Sequence, residues 1–266
     1  YLPIHRSREI VFGVEKRLAD CDVMVANTLE NDELELMRIK AFLNRKLDGL
    51  IVVSCPTFAN LEYLEEVARQ VPLVIADRVP MDVALPVVRA DDEAAAEMAV
   101  SYLIEKGHRH VACISRAGYI IGEERARGYR RAMLAHQLEP MEPILIDDQR
   151  DAFQVYRACL RLLSTSDPPS AVIVYDDSVA KVLYEAARDL CISIPDHLSV
   201  VSLSNTDLST LITPQLTALD RNQVEVGEQA ADLLLRHIKE GRMTPDRLLV
   251  KPRLLERQSV STESPA

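Results

Sequence analysis

Three pairs of adjacent carboxylates, Asp91-Asp92, Asp147-Asp148 and Asp176-Asp177, are the residues of this chain best suited by type to acid–base chemistry. All three fall at or just after apolar runs, the place from which loops of open α/β sheets reach ligands. Neighbouring side chains need not point the same way, so spacing alone makes none of them a paired-carboxylate centre. Asp147-Asp148 reads as a solvated turn, and Asp91-Asp92 as a helix start capped by Asp91. The six histidines show no His-Glu-x-x-His spacing, and no serine sits in a Gly-x-Ser-x-Gly elbow. Gly118-Tyr-Ile-Ile-Gly122 lacks the Lys-Ser/Thr that closes a phosphate loop. His108-Arg109-His110 reads as an exposed turn. No signature of covalent or nucleotide chemistry is present, and the chain is not expected to be an enzyme.

A second group is more suggestive. Asp77, Arg78, Ser115, Arg116, Tyr175, Asp176, Asp177, Ser204 and Asn205 all stand at the ends of apolar runs. Hydrogen-bonding groups that converge from several strand ends suit the capture of a polar metabolite.

The elements that must position these groups alternate along the chain. Strands are expected at 22–26, 49–53, 73–76, 111–114, 144–146, 171–175 and 198–203. They are rich in Val and Ile and lack polar alternation, as a sheet covered on both faces requires. Helices are expected between them at 6–19, 32–46, 61–70, 92–106, 123–136, 152–163, 178–190 and 224–240. Gly107 and Gly241 sit where left-handed helix caps belong. Repeated strand–helix–strand units imply parallel sheets joined by right-handed crossovers. An α/β lobe normally places a strand before its first helix, whereas this chain opens on a helix. A further strand upstream is therefore expected.

Bulk properties narrow the function. At 266 residues the chain can form two lobes of ordinary size, and 48% hydrophobic residues excludes general disorder. Acids outnumber bases by 41 to 31, giving a net charge of −10, so the surface is not built to neutralise phosphates. No apolar run is long enough for a membrane span or a secretory signal. Five cysteines without Cys-x-x-Cys spacing read as small buried thiols in a reducing compartment, with neither metal nor cofactor expected.

Longer motifs carry a resemblance. Leu190 to Asn205 reads LCISIPDHLSVVSLSN, Pro214-Gln-Leu-Thr217 follows, and Arg257-Gln-Ser259 comes forty residues later. Earlier stretches are Leu47-Asp-Gly-Leu-Ile51, Val71 to Arg78, Leu103 to Arg109 and Arg125-Ala-Arg-Gly128-Tyr129. In this order they resemble the effector-binding core of the LacI/GalR transcription regulators over nearly the whole chain.

The resemblance implies an α/β fold of two similar lobes, with parallel sheets flanked by helices, joined by three crossovers. One lobe would comprise 1–89 plus 221–249, the other 90–220 plus 250–266. A helix-turn-helix headpiece reading operator DNA would lie upstream. It further implies a cytoplasmic homodimer whose interlobe cleft binds a small polar effector: a sugar, a sugar phosphate or another metabolite. By position the effector residues would be Arg125, Asp77, Asp176 and Ser204, with Arg6, Ser7, Tyr119, Ile121, Arg150 and Ile173 lining the cleft. Arg125 would bind the effector through its planar fork, and its loss should abolish the response while sparing the fold.

The chain departs from the family pattern. Ser204 replaces a carboxylate that accepts effector hydrogen bonds in relatives, His197 replaces an aspartate, and there is no tryptophan. These changes disfavour a free hexose. Asn205 to Thr217 also looks like the catabolite-control members, which answer to a phosphorylated carrier protein. A periplasmic solute receptor of an importer is the alternative reading of the same fold.

Overall fold

The computed structural model describes residues 4–55, 57–147 and 151–262, with side chains from Ser7. The chain divides into two compact units. Unit 1 comprises 1–90 and 222–250, and unit 2 comprises 91–221 and 251–266. Unit 1 opens with α1 (Ile4–Arg17), α2 (Asp32–Leu43), β1 (Leu50–Val52), α3 (Leu61–Val67), β2 (Leu73–Ala76) and β3 (Val87–Ala90). Unit 2 follows with α4 (Asp92–Glu105), β4 (Val111–Arg116), α5 (Ile120–Ala135), β5 (Ile144–Ile146), α6 (Ala152–Leu163) and β6 (Ala171–Val174). It continues through α7 (Asp177–Asp189), β7 (Ser199–Ser202), α8 (Leu208–Leu211) and β8 (Thr217–Asp220). Then α9 (Gln223–Glu240) and β9 (Arg247–Val250) return to unit 1, and β10 (Arg253–Leu255) ends in unit 2.

Unit 1 is a four-stranded parallel sheet in the order β1-β2-β3-β9. Successive residues of a strand face opposite sides, and the two cores follow that alternation. Leu50, Val52, Leu73, Ile75 and Val87 pack with Ile39 of α2 and Leu64 and Val67 of α3. Ile51, Val74, Ala76, Val88 and Val250 pack instead with Ile10 and Val14 of α1 and Val226, Ala230 and Leu234 of α9. The α1–α9 contact is made at glycine. A Cβ on Gly13 would lie 2.0 Å from the Val224 carbonyl oxygen, and one on Gly227 2.1 Å from that of Ile10. Only the missing side chains let the two backbones come this close.

The sheet of unit 2 runs β10-β8-β7-β6-β4-β5, parallel except for the edge strand β10. One face, with Cys113, Ile173 and Val201, lies under α4 and α5. The other, with Ile114, Val172 and Val200, lies under α6 and α7. Helix starts are fixed by side-chain caps: Asp91 accepts from the Ala94 N–H at 2.9 Å, and Asp151 from Phe153 at 3.0 Å. Gly107 and Gly241 take positive φ beyond α4 and α9, as their helix-end positions require.

The motifs at 214–217 and 257–259 meet in space. The Ser259 hydroxyl accepts from the Thr217 N–H at 2.8 Å and donates to the Val200 carbonyl at 2.6 Å. Thr217 in turn accepts from the Arg257 N–H at 3.0 Å, and the Arg257 guanidinium reaches the Leu216 carbonyl and Asn205. These bonds lie beside the β8–β10 pairing, where the chain returns to the sheet.

All eight expected helices form, and the α/β class with parallel sheets is as anticipated. Four strands escaped the sequence reading. β3 and β9 carry arginines (Arg89, Arg247) inside runs of four residues, and β8 and β10 include Thr217, Asp220 and Arg253, so none is a clean apolar run. The expected strand at 22–26 does not form: these residues join no sheet. A strand needs a neighbouring backbone, and between this segment and β1 lies a cavity lined by both. The reading of His108 as exposed is also corrected. It is buried, with Nδ1 2.9 Å from the Ser170 hydroxyl and Nε2 3.2 Å from the Ser261 carbonyl. Likewise only Cys55, Cys113 and Cys159 are buried thiols; Cys21 and Cys191 are exposed.

Candidate functional site

The C-terminal edge of the unit 2 sheet gathers the largest set of polar groups. In a parallel sheet every strand delivers its following loop to this same edge. β4 ends in Ser115 and Arg116; the Ser115 hydroxyl donates to the Gly122 carbonyl at 2.8 Å and closes the turn into α5. Arg116 stacks on the Tyr119 ring, 3.7 Å from its centroid. β6 leads into Tyr175 and Asp176, β7 into Ser202 and Ser204, and β8 into Arg221.

At the centre is a buried charge network. Arg125 is fully buried; its Nε and Nη2 donate to Asp92 Oδ1 at 2.9 and 2.7 Å, and its Nη1 to the Tyr175 carbonyl at 2.5 Å. Its guanidinium also lies 4.6 Å from the centre of the Tyr175 ring. Arg221 reaches the same carboxylate, with Nη2 2.8 Å from Asp92 Oδ2. Two arginines therefore orient one carboxylate from different elements, α5 and the end of β8. Buried ion pairs of this kind hold geometry more than they add stability.

A second buried carboxylate organises the neighbouring loop. Asp177 accepts from the Ser202 hydroxyl at 2.6 Å, the Thr206 N–H and hydroxyl at 2.7 and 2.8 Å, and the Ser209 hydroxyl at 2.7 Å. Burial pushes its carboxyl above the usual aspartate value, and these four donors oppose the shift. Asp176 caps α7, accepting from the Ser178 and Val179 N–H groups, both at 3.1 Å.

The structure sorts the sequence-expected residues. Tyr119, Arg125, Asp176 and Ser204 all lie along this edge of unit 2. Arg125 is not presented as an open fork, because its donors are engaged by Asp92 and Tyr175. Ile173 is corrected: it lies inside β6, in register with Cys113 and Val201, and its side chain is fully in the α4–α5 core. Ile121 is buried at the start of α5. Asp77 and Ser7 belong to unit 1, Ser7 half-buried on α1 and Asp77 buried at the end of β2. Asp77 and Arg78 both have positive φ, 59° and 37°, which non-glycine residues adopt rarely and mostly where a backbone is held for a purpose. Arg78 Nη1 bonds Glu30 at 2.5 Å. Arg150 and Asp148 lie outside the described residues, as does the side chain of Arg6.

Sequence reasoning missed Asp92 and Arg221 as site residues. Asp92 is separated from the end of β3 by one residue and Arg221 comes directly after β8, so both sit where strand-end loops begin. No group of three or more His, Cys, Asp or Glu residues fit for a metal occurs among the described residues, and no helix there is long and apolar enough to cross a membrane.

Residues 100–260, most of unit 2 and the whole of α9 and β9, match the periplasmic binding protein-like domain. The chain belongs to that family. Similar proteins extend the likeness across both units. The chain is 28% identical to the ribose operon repressor of Escherichia coli strain K12 over 255 residues, 94% of this chain and 77% of that protein. It is 27% identical to catabolite control protein A of Priestia megaterium over 258 residues, 94% of this chain and 76% of that one. Among solved structures, the complex of the transcriptional regulator CelR with cellobiose is 25% identical, with a TM-score of 0.80 over 96% of this chain and 79% of that chain. The periplasmic-binding-protein-like fold of this chain is thus shared with cores of LacI-type regulators.

Proposed function

We propose that the chain is the effector-sensing core of a LacI-type transcription regulator, binding a small polar metabolite and passing its occupancy to a DNA-reading headpiece. The observation that carries the reading is the concentration of Arg116, Tyr119, Arg125, Tyr175, Asp176 and Ser204 at one edge of the unit 2 sheet. In this arrangement Asp92, itself held by Arg221, fixes the Arg125 guanidinium beside Tyr175, and the effector meets the Arg116–Tyr119 pair and the strand-end hydroxyls. The names of the relatives support a sugar or sugar derivative as the effector class, and Ser204 and Arg116 favour one bearing an anionic group. The protein works as a cytoplasmic homodimer and performs no catalysis.

The test is a thermal-shift screen of ribose, cellobiose, ribose 5-phosphate and glucose 6-phosphate. One of these should raise Tm in a saturable way, and Tyr119→Ala should reduce the shift without lowering the unliganded Tm. A flat response to sugars, sugar phosphates and carboxylates alike overturns the reading. Sedimentation at micromolar concentration should show a dimer.

The similarity to catabolite control protein A, together with Ser204 in place of a carboxylate, favours a second reading. In it the core answers to a phosphorylated carrier protein docking on its surface. Co-elution with a phosphorylated, but not an unphosphorylated, carrier would support it.

A further inference from the structure

Two interior tyrosines of unit 2 engage their hydroxyls on backbone carbonyls. Tyr129 donates to Val111 at 2.8 Å, and Tyr184 to Pro214 at 3.1 Å. Tyr175, directly after β6, behaves differently. It is 1% exposed, yet its buried hydroxyl meets no hydrogen-bond partner among the described residues. A buried hydroxyl left unpaired costs free energy that a bound partner recovers. The ring itself is well held, against the Arg125 guanidinium that Asp92 fixes.

Arg116 repeats the pattern with a charge. Other arginines of unit 2, Arg125, Arg127, Arg130, Arg131 and Arg221, are paired with carboxylates. Arg116 is half-buried and stacks on the Tyr119 ring. Among the described residues its buried Nε has no acceptor. A guanidinium held by an aromatic ring, with its donor edge unengaged, suits an anionic group.

The fold brings the two groups together. Ile114 of β4 is in register with Val174 of β6, so Arg116 and Tyr175 stand two residues and one residue further along. These strands are neighbours, with backbones roughly 5 Å apart. Both stacks are made at the start of α5, on Tyr119 as its N-cap and on Arg125 in its second turn.

We propose that Arg116 and Tyr175 together select a hydroxylated anion as the effector, Arg116 taking its phosphate or carboxylate and Tyr175 one of its hydroxyls. The assignment rests on the effector-sensing reading and narrows it. A guanidinium carries charge and only donates, whereas a phenol both donates and accepts, as a sugar hydroxyl does. A neutral sugar leaves Arg116 without a counter-charge. A bare anion such as inorganic phosphate leaves the Tyr175 hydroxyl unpaired.

The experiment is calorimetric titration of wild type, Tyr175→Phe and Arg116→Gln, with an unliganded melt of each. The probes are glucose 6-phosphate, ribose 5-phosphate, gluconate, glucose, ribose and inorganic phosphate. A hydroxylated anion should bind the wild type at least about 10-fold more tightly than the neutral sugars and inorganic phosphate. Tyr175→Phe keeps the ring on Arg125 and removes only the hydroxyl. It should hold the unliganded Tm or raise it by about 1–3 °C, while weakening the anion about 10-fold. Arg116→Gln should weaken the anion at least about 10-fold and leave neutral sugars unaffected. A lower Tm in Tyr175→Phe would mean that its hydroxyl is already paired and would overturn the proposal. Unchanged anion affinity in either variant would overturn it too, as would a neutral sugar binding as tightly as its phosphate. If none of the probes binds the wild type, the sensor reading itself fails and the assignment falls with it.

Discussion

Asp92 Oδ1 receives both the Nε and the Nη2 of Arg125, at 2.9 and 2.7 Å, although 33 residues separate them in the chain. The side chains of both are completely buried. Sequence reasoning placed Arg125 against the effector and expected its loss to spare the fold. In the structure it is first a structural partner of α4 and β6.

Arg125→Ala should therefore destabilise the protein strongly. Arg221 would still pair with Asp92. Asp92 Oδ1 would lose two donors and the Tyr175 carbonyl one, and a large buried side chain would leave a void, at a cost of about 2–4 kcal/mol. Arg125→Lys should recover only part of this, since one ammonium cannot serve Asp92, the Tyr175 carbonyl and the Tyr175 ring together. Urea unfolding measures both. A double-mutant cycle with Asp92→Asn should give a coupling above about 1 kcal/mol, and additive losses would mean that the pair is not energetically linked.

The α1–α9 crossing depends on glycine. Gly227→Ala would bring a methyl group to 2.1 Å from the Ile10 carbonyl oxygen, backbone that cannot swing aside. The helices must separate, and we expect a loss of about 1–3 kcal/mol. Gly118→Ala is a poor control because of its positive φ, but Ala59→Gly, in an exposed turn, should be nearly silent. Thermal melts of the two variants decide the point.

The thiols divide by burial. Burial pushes Cys113 and Cys159 up to about 12, and Cys55 to about 12 through burial aided by Glu35. Iodoacetamide at about pH 8 should modify only Cys21 and Cys191, because the thiolate is the nucleophile and access is needed as well. Peptide mass spectrometry reads the result. Rapid labelling of Cys113 in the folded protein would contradict its placement under α4 and α5.

Acid stability should carry a contribution from Asp246. The Thr244 hydroxyl, then His237 and Arg236, hold its carboxyl below the usual aspartate value. A carboxylate lowered in the folded state stabilises above its unfolded pKa, and that stabilisation is lost as pH falls through the folded value. Urea midpoints between about pH 5 and pH 2 should thus fall less steeply in Asp246→Asn than in the wild type. Parallel profiles would remove Asp246 from the acid response.

Much was legible in the sequence because its causes are local. Apolar runs bounded by Asp91, Gly107 and Gly241 set the helices, since capping and positive φ act within a turn. The Val- and Ile-rich runs 73–76, 111–114 and 171–174 gave parallel strands because both their faces are covered by helices. The landing of Tyr119, Asp176 and Ser204 on one edge followed from the same rule, that parallel strands all finish on one side. The pairing of 214–217 with 257–259 was visible as a motif but not as a set of bonds.

Tertiary structure decided what depends on distant partners. Whether Arg125 is open or engaged turns on Asp92 and Tyr175, which no spacing places beside it. Ile173 went to the core because its register with Cys113 and Val201 points it under α4 and α5. The residues 22–26 carry the composition of a strand and form none, because a strand exists only through the backbone next to it.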